Sequence, residues 1–153
     1  MSNYIHPVIF FDLGLTLVGP DPKEWTPGAK TVLSDLRAAK VRLGVISNTR
    51  DLNRPELEAK LPSDFKWTLF TSKLVLLSSE VGIEKPDLRI FRLAIERSGL
   101  AAAECLYCSE DLLETLAAQS VGMSAARVLS PPNSDLRLLP ERLKALSKLH
   151  DAV

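Results

Sequence analysis

A chain of 153 residues, 46% of them hydrophobic and 25% charged, has the composition of an ordinary globular protein with one sizeable core. Its 19 basic residues balance its 19 acidic residues, so no excess charge indicates a nucleic-acid partner or an anionic membrane surface. We therefore expect a single domain over residues 1–153, with its core over about 6–130.

The N-terminal segment predicts no targeting or membrane-spanning element. It lacks a basic region at its start, and Asp12 interrupts its apolar run, so it does not have the pattern of a signal peptide. No stretch of the sequence is long and apolar enough to span a bilayer. We expect a cytoplasmic protein without a membrane partner.

The first predicted strand, at about 7–12, carries a carboxylate at the end of a buried apolar run. The four apolar residues 8–11 precede Asp12, which is the pattern of a strand covered on both faces in a parallel sheet. Burying Asp12 is costly unless it is paired or coordinates a cation, and ligands of open α/β sheets lie at the carboxyl ends of strands. Asp12 is therefore a candidate for chemistry, although an Asp in this place also commonly caps its own turn.

The next part of the chain predicts two strands and two helices. Thr26-Pro27 indicates a helix start, with Thr26 as the N-cap residue. The stretch 67–70 is ambiguous, because it could pair beside the following strand or form a turn of helix. In chain order, the predicted elements are a helix at about 27–39, a strand at 41–46, a short helix at 55–61 and a strand at 73–77.

The alternation of strands and helices continues to the end of the chain. The predicted elements are a helix at about 87–98, a strand at 104–108, a helix at 111–120, a strand at 125–129 and a last amphipathic helix at 139–149 with Leu143, Leu146 and Leu149 on one face. This alternation predicts an α/β fold with a central parallel five-stranded sheet, helices on both faces and right-handed crossovers.

The two cysteines, Cys105 and Cys108, are predicted to be buried free thiols. Their C-x-x-C spacing is found in redox pairs and zinc sites, but here it lies on a predicted strand. Residues three apart on a strand point to opposite faces, so the two thiols could not easily close a disulfide. No second C-x-x-C or histidine cluster completes a zinc site.

Polar side chains follow the strands at the points where each strand ends. The carboxyl ends of the predicted strands meet at one edge of the sheet. This edge brings together Asp12, Ser47-Asn48, Lys85 from the loop after the third strand, and the acidic cluster Ser109-Glu110-Asp111. Such a set can hold a divalent cation beside a phosphate, with Lys85 and a hydroxyl neutralising phosphoryl oxygens while a carboxylate attacks.

These segments resemble, in order, the four motifs of the haloacid dehalogenase (HAD) superfamily. The resemblance covers about residues 6–130 and rests on 10–17, 45–48, 82–87 with Ile90-Phe91, and 107–110 leading to Ala118 and Gly122-Met123. It implies a Rossmann-like three-layer sandwich. Most members of the superfamily are magnesium-dependent phosphatases that form an aspartyl-phosphate.

The resemblance also implies a role for each matching residue. Asp12 would be the nucleophile and a Mg²⁺ ligand, and the backbone carbonyl of Gly14 would be a second ligand. Ser47 would hydrogen-bond the phosphoryl group, and Lys85 would hold both the phosphoryl oxygens and Asp12. The remaining positions on the substrate side are Thr16, which would support its loop, and Asn48, which lies beside Ser47.

Two departures from the family pattern bear on activity. The phosphatases carry a second Asp as general acid/base two residues after the nucleophile, where this chain has Gly14, and general acid catalysis typically contributes ~10²–10⁴-fold. The fourth motif usually supplies a magnesium-binding Asp where Ser109 stands, with Glu114 at the later acidic position. Glu110 or Asp111 could substitute as ligands, although each is one or two residues out of register.

A branch of the superfamily that removes halide also lacks the second Asp and uses no metal, but its members carry a helical cap. Asp12 and Ser47 are only 35 positions apart and Ser47 and Lys85 only 38, which leaves no room for a folded cap. We therefore expect a capless member, whose open crevice suits a phosphorylated macromolecule better than a small haloacid.

Three functional hypotheses remain open from the sequence. The first is a capless phosphohydrolase that uses Asp12 and Mg²⁺, with activity weakened by the missing acid and metal ligand. The second is a non-catalytic relative that keeps the fold as a binding or regulatory module. The third is a metal-independent hydrolase of the dehalogenase kind.

Overall fold

A computed structural model describes residues 4–151, with side chains described up to residue 145. One five-stranded sheet crosses it, and every pair of neighbouring strands is parallel. The strand order is β3-β2-β1-β4-β5, which confirms the predicted α/β, Rossmann-like fold class. The strands are β1 (Val8–Phe11), β2 (Arg42–Ser47), β3 (Val75–Leu77), β4 (Cys105–Ser109) and β5 (Ser124–Arg127).

Helices cover both faces of the sheet. Buried residues of α1 and α6 join one apolar cluster, and buried residues of α4 and α5 join the other. The helices are α1 (Ala29–Ala38), α2 (Arg54–Glu58), α3 (Ser78–Val81), α4 (Leu88–Ser98), α5 (Leu112–Ser120) and α6 (Leu139–Asp151). On α6, Leu143 is buried as expected, whereas the side chains of Leu146 and Leu149 lie outside the described residues.

Several predicted boundaries differ from the structure for local reasons. The ambiguous stretch forms a 3₁₀ turn over Trp67–Leu69, and a second 3₁₀ turn over Ser72–Leu74 shortens the third strand. The one-turn helix α3 was not predicted. The prediction of Thr26 as the N-cap residue of α1 is wrong. The N-cap is Gly28, two residues further on, whose left-handed conformation (φ 82°) turns the chain into the helix.

The central strand β1 is fully buried, as its apolar run predicts. Ile9 and Phe11 belong to the cluster on one face, and Val8 and Phe10 belong to the cluster on the other. Cys105 and Cys108 likewise lie in opposite clusters as free buried thiols, which confirms the prediction for the cysteines.

The position of β1 between β2 and β4 creates the crevice. In this strand order the chain moves outward from β1 first to β2 and β3, and then on the other side to β4 and β5. The loops after β1 and β4 therefore diverge at the carboxyl edge, which is where ligands of open α/β sheets bind. Within residues 4–151, no separate cap domain covers this edge, and no helix is long and apolar enough to cross a membrane.

The packing of Phe10 against Gly44 gives a test of the core. A Cβ at Gly44 would lie 2.5 Å from Phe10 Cδ1 and 2.7 Å from the Leu74 backbone oxygen, so neighbouring backbone would have to move. We expect Gly44→Ala to lower the free energy of unfolding by about 1–3 kcal/mol, measured by urea denaturation. Gly19→Ala is the control, since its Cβ would meet only ordinary contacts at 3.8 Å and beyond; an equal loss in both variants would contradict the packing argument.

Candidate active site

Asp12 lies directly after β1, where its backbone still follows the sheet. Its N–H donates to the Cys108 carbonyl of β4 at 3.1 Å, and its carboxylate Oδ1 accepts the N–H of Leu13 at 2.8 Å. The same Oδ1 lies 2.9 Å from Nζ of Lys85. The sheet therefore fixes the backbone of Asp12, and two donors fix one of its two carboxylate oxygens.

Lys85 reaches this point from the loop before α4, and Asn48 holds its backbone. The Asn48 side chain accepts the N–H of Lys85 at 2.8 Å and donates to its carbonyl at 2.9 Å. Both amide atoms of Asn48 are thus engaged with the chain itself. Asn48, which was predicted on the substrate side beside Ser47, holds the backbone of Lys85 in place.

The ammonium group of Lys85 is buried, with a side chain only 1% exposed, and all three of its donors are engaged. Its acceptors are Asp12 Oδ1 at 2.9 Å, Glu114 Oε1 at 2.8 Å and the Tyr107 hydroxyl at 2.9 Å. We refer to Lys85, Asp12, Glu114 and Tyr107 as the lysine cluster. Full satisfaction of these donors is what makes burial of the cation tolerable.

Glu114 and Tyr107 were not among the predicted site residues. Glu114 comes from the first turn of α5, whose N-cap Asp111 accepts the Glu114 N–H at 3.0 Å, while Tyr107 donates its hydroxyl to Glu114 Oε1 at 2.7 Å. A signal was present in the sequence, because Glu114 stands at the later acidic position of the fourth motif. Tyr107 lies two residues before Ser109 on β4, so the two side chains share one face of the strand. This spacing could have indicated Tyr107 as a site residue.

The charges of the lysine cluster shift the pKa of its members. Burial raises the pKa of Asp12 above its ordinary value; Lys85 opposes this shift and Glu114 adds to it. Burial, with the nearby carboxylates of Asp12 and Glu114, also raises the pKa of Tyr107 well above 10. Tyr107 is therefore a neutral hydroxyl that accepts from Lys85 and donates to Glu114.

The other predicted positions on the substrate side divide into free and engaged groups. Ser47 ends β2 beside β1 and is buried, and its hydroxyl makes no hydrogen bond with the described residues. Thr16 is buried, and its hydroxyl accepts the Glu110 N–H at 3.2 Å, which ties the loop after β1 to the loop after β4. This contact matches the predicted role of Thr16 in supporting its loop.

The predicted metal ligands in the cluster 109–111 each make local contacts with the protein. Glu110 Oε2 accepts the Ser130 hydroxyl at 2.8 Å, the Asp111 carboxylate caps α5, and the Ser109 hydroxyl lies 3.5 Å from Glu114 and accepts the Asp111 N–H at 3.1 Å. Among residues 4–151, no group of three or more His, Cys, Asp or Glu side chains is placed to hold a metal ion. The Glu110 and Asp111 carboxylates thus each accept a hydrogen bond from a nearby loop or helix end.

The remaining oxygen donors still suit a weakly held Mg²⁺. Asp12 Oδ2 makes no hydrogen bond or ion pair with the described residues, and the space beside Gly14 is open. Mg²⁺ commonly binds through one or two carboxylates together with waters and substrate phosphate. The Asp12 carboxylate therefore fits such an ion chemically.

The family assignment agrees with this geometry. A family model described as haloacid dehalogenase-like hydrolase matches residues 7–122 of the chain. The chain belongs to this family. The match contains β1 to β4 and α5, and so includes the whole lysine cluster.

One relative of known activity is named as a phosphatase. Glyceraldehyde 3-phosphate phosphatase from Methanothermobacter thermautotrophicus is 35% identical over 105 residues, which cover 68% of this chain and 44% of the relative. The chain thus spans less than half the length of that relative.

Solved structures of the family share the fold. A protein described as a predicted HAD-like family hydrolase from Porphyromonas gingivalis matches 93% of this chain and 98% of its own, with a TM-score of 0.71 and 18% identity. A HAD family enzyme from Bacteroides thetaiotaomicron, solved in complex with magnesium and inorganic phosphate, matches 68% of this chain and 52% of its own, with a TM-score of 0.54 and 22% identity.

The raised pKa of Asp12 predicts how stability depends on pH. The folded protein binds the Asp12 proton more tightly than the unfolded chain does, so ionising Asp12 costs stability as the pH rises from 3.8 through the raised pKa. The Asp12→Asn variant does not titrate there. We expect its free energy of unfolding, relative to the native chain, to increase with pH across this window in urea titrations.

Asp87→Asn supplies a control of opposite sign. Arg89 lowers the pKa of Asp87 from 3.8 to about 2, so the native chain gains stability over this variant as the pH rises between those values. Curves of the same sign for the two variants would contradict the assignment of burial as the main cause at Asp12.

Proposed function

We propose that this protein is a phosphomonoesterase that acts through an aspartyl-phosphate on Asp12. The observation that carries the proposal is the ion pair between Asp12 and the buried Lys85, which fixes one carboxylate oxygen and leaves Oδ2 unengaged at the crevice. A carboxylate held in this way is a positioned nucleophile. The phosphatase activity named for a relative that is 35% identical supports the same class of reaction.

The reaction has two displacements at phosphorus. Oδ2 of Asp12 forms a bond to the phosphorus atom as the ester P–O bond breaks, and the leaving oxygen takes a proton from water. Water then attacks the phosphorus of the aspartyl-phosphate, releases inorganic phosphate and regenerates the carboxylate. Ser47, whose hydroxyl makes no hydrogen bond with the described residues, donates to a phosphoryl oxygen.

Lys85 acts mainly on the nucleophile in this scheme. Its three donors are already taken by the other members of the lysine cluster, so it orients Asp12 and offsets the charge of Asp12 and Glu114. Mg²⁺, when bound beside the Asp12 carboxylate, would supply positive charge to the phosphoryl oxygens.

Gly14 limits which substrates the site can turn over. No side chain at this position can protonate the departing oxygen, so the rate depends on how stable the leaving group is as an anion. Aryl phosphates should therefore react faster than alkyl phosphates. We propose a phosphorylated macromolecule as the natural substrate, because no cap domain within residues 4–151 encloses the crevice.

A non-catalytic binding module is the second candidate function. Two observations favour it, namely the missing acid at Gly14 and the absence, among the described residues, of an acidic side-chain cluster for a metal. In this case the crevice would bind a phosphorylated group and release it unchanged. The two experiments below separate the candidates.

The first experiment tests the nucleophile. We expect the native protein to hydrolyse an aryl phosphate slowly in Mg²⁺, and Asp12→Asn to lose at least about 10³-fold in kcat because an amide cannot displace the leaving group. Asp21→Asn, an exposed substitution in the loop before α1, should retain the native rate. Turnover that survives in Asp12→Asn would rule out the aspartyl-phosphate, and no turnover in the native protein would favour the binding module.

The second experiment restores the missing acid. A Cβ at Gly14 meets no atom within 4 Å, and Gly14 does not have a left-handed backbone, so an aspartate side chain can be accommodated there. We expect Gly14→Asp to raise kcat by about 10-fold or more, with the larger gain on alkyl phosphates. Gly14→Asn is the matched control, since asparagine has the same size as aspartate but cannot transfer a proton to the leaving group. Equal rates for the two variants would contradict the role assigned to this position.

A further inference from the structure

The lysine cluster leaves the crevice short of positive charge. It contains two carboxylates, one ammonium and a neutral phenol, and the three donors of Lys85 all point to groups of the protein. A phosphoryl group brings up to two more negative charges to this place. Besides a bound Mg²⁺, a cationic side chain outside the lysine cluster would offset these charges.

Arg50 is the cationic side chain that follows the end of β2 at the same edge of the sheet. It comes three residues after Ser47, in a segment that the protein holds tightly. Asn48 is bonded to the Lys85 backbone, and Thr49 donates its N–H to Ser78 Oγ at 2.8 Å and its hydroxyl to Ser79 at 2.8 Å. The backbone that carries Arg50 is therefore anchored on the lysine loop and on α3.

The guanidinium of Arg50 has no partner in the part of the chain that the structure describes. Its side chain is exposed and makes no hydrogen bond or ion pair with the described residues, whereas Arg54, four positions later, pairs with Glu80 at 2.8 Å. Arg127, at the edge strand β5, donates to the Glu110 carbonyl at 2.9 Å. Arg50 thus combines a position next to Ser47 with unused donors.

The backbone of Arg50 is also strained. Its φ is 53°, in the left-handed region that is unfavourable for a non-glycine residue. Leu15, which follows Asp12 by three residues as Arg50 follows Ser47, has the same conformation with φ 60°. Two of the three non-glycine residues with positive φ in the described chain therefore lie in the loops that follow β1 and β2, and strained backbone of this kind is common at functional sites.

We propose that Arg50 is a phosphate-binding residue, which donates to the phosphoryl oxygens that Lys85 cannot reach. The inference rests on the proposed function, since it assigns a further ligand to the same crevice. A guanidinium suits this role because its fork of donors matches two oxygens of one phosphoryl group. Arg50 would act from the loop after β2, while Ser47 and Asp12 act from the strand ends.

The test uses inorganic phosphate and an aryl phosphate with the full-length protein. Arg50→Asn removes the guanidinium and keeps a residue that tolerates a left-handed backbone. We expect it to weaken phosphate binding, measured by titration calorimetry, roughly tenfold and to raise KM by a similar factor with little change in kcat. Arg50→Lys should recover part of the affinity, because it restores the charge without the fork.

Lys40→Asn is the matched control. Lys40 is likewise an exposed cation with a left-handed backbone (φ 67°), but it precedes β2 and so lies at the opposite edge of the sheet. Both substitutions remove one positive charge and relieve the same kind of strain, so both should leave the free energy of unfolding unchanged or slightly raised. Only Arg50→Asn should weaken phosphate binding.

The outcomes separate this inference from the proposed function. Equal phosphate affinity in Arg50→Asn and Lys40→Asn, or no binding of phosphate by the native protein at millimolar concentration, overturns the role of Arg50. If Asp12→Asn abolishes turnover while Arg50→Asn leaves KM and affinity unchanged, the phosphatase stands and Arg50 is not a ligand. If the native protein has no turnover but loses phosphate affinity in Arg50→Asn, the role of Arg50 stands on a binding module.

Discussion

The burial of the Lys85 ammonium is the constraint on which the rest of the site depends. A cation that is removed from water is tolerated only when each of its donors has an acceptor, and here the acceptors come from three different elements. Asp12 follows β1, Tyr107 lies on β4, and Glu114 lies on α5. Correct placement of one nitrogen atom therefore requires the sheet register, the capping of α5 and the Asn48 clamp on the lysine loop to form together.

The lysine cluster also gives the crevice an unbalanced negative charge. Two carboxylates share one ammonium, and burial raises the pKa of Asp12 despite the ion pair. A hydrophobic replacement of such a buried ion cluster is often neutral or stabilising, and shifted pKa values of this kind are common at binding and catalytic sites. The unengaged Asp12 Oδ2 and the hydroxyl of Ser47 are the two groups at the strand ends through which that use would be exerted.

The sequence predicted what depends on a single strand and missed what depends on distant contacts. The apolar run before Asp12 was enough to place a buried strand and its terminal carboxylate, and the ends of the other strands placed Ser47 and Lys85. Glu114 was missed because it reaches the crevice from a helix face, and its direction follows from the Asp111 cap. The sequence could not predict that the Glu110 carboxylate accepts the Ser130 hydroxyl, because this contact joins residues 20 positions apart and forms only once the segment after β5 has packed.

In the proposed reaction, the contacts that position Asp12 are distinct from the group that would protonate the leaving oxygen. Every contact that fixes Asp12 is present, from the β4 carbonyl that accepts its N–H to the ammonium that holds Oδ1. The group that would protonate a departing oxygen has no counterpart at Gly14, although the open space there shows that packing does not forbid one. In the proposed reaction, the leaving group of the substrate must therefore carry the charge itself, and the proposed role of Arg50 is to offset the charge of the phosphoryl oxygens. The proposed phosphatase would therefore be selective mainly through the leaving group of its substrate.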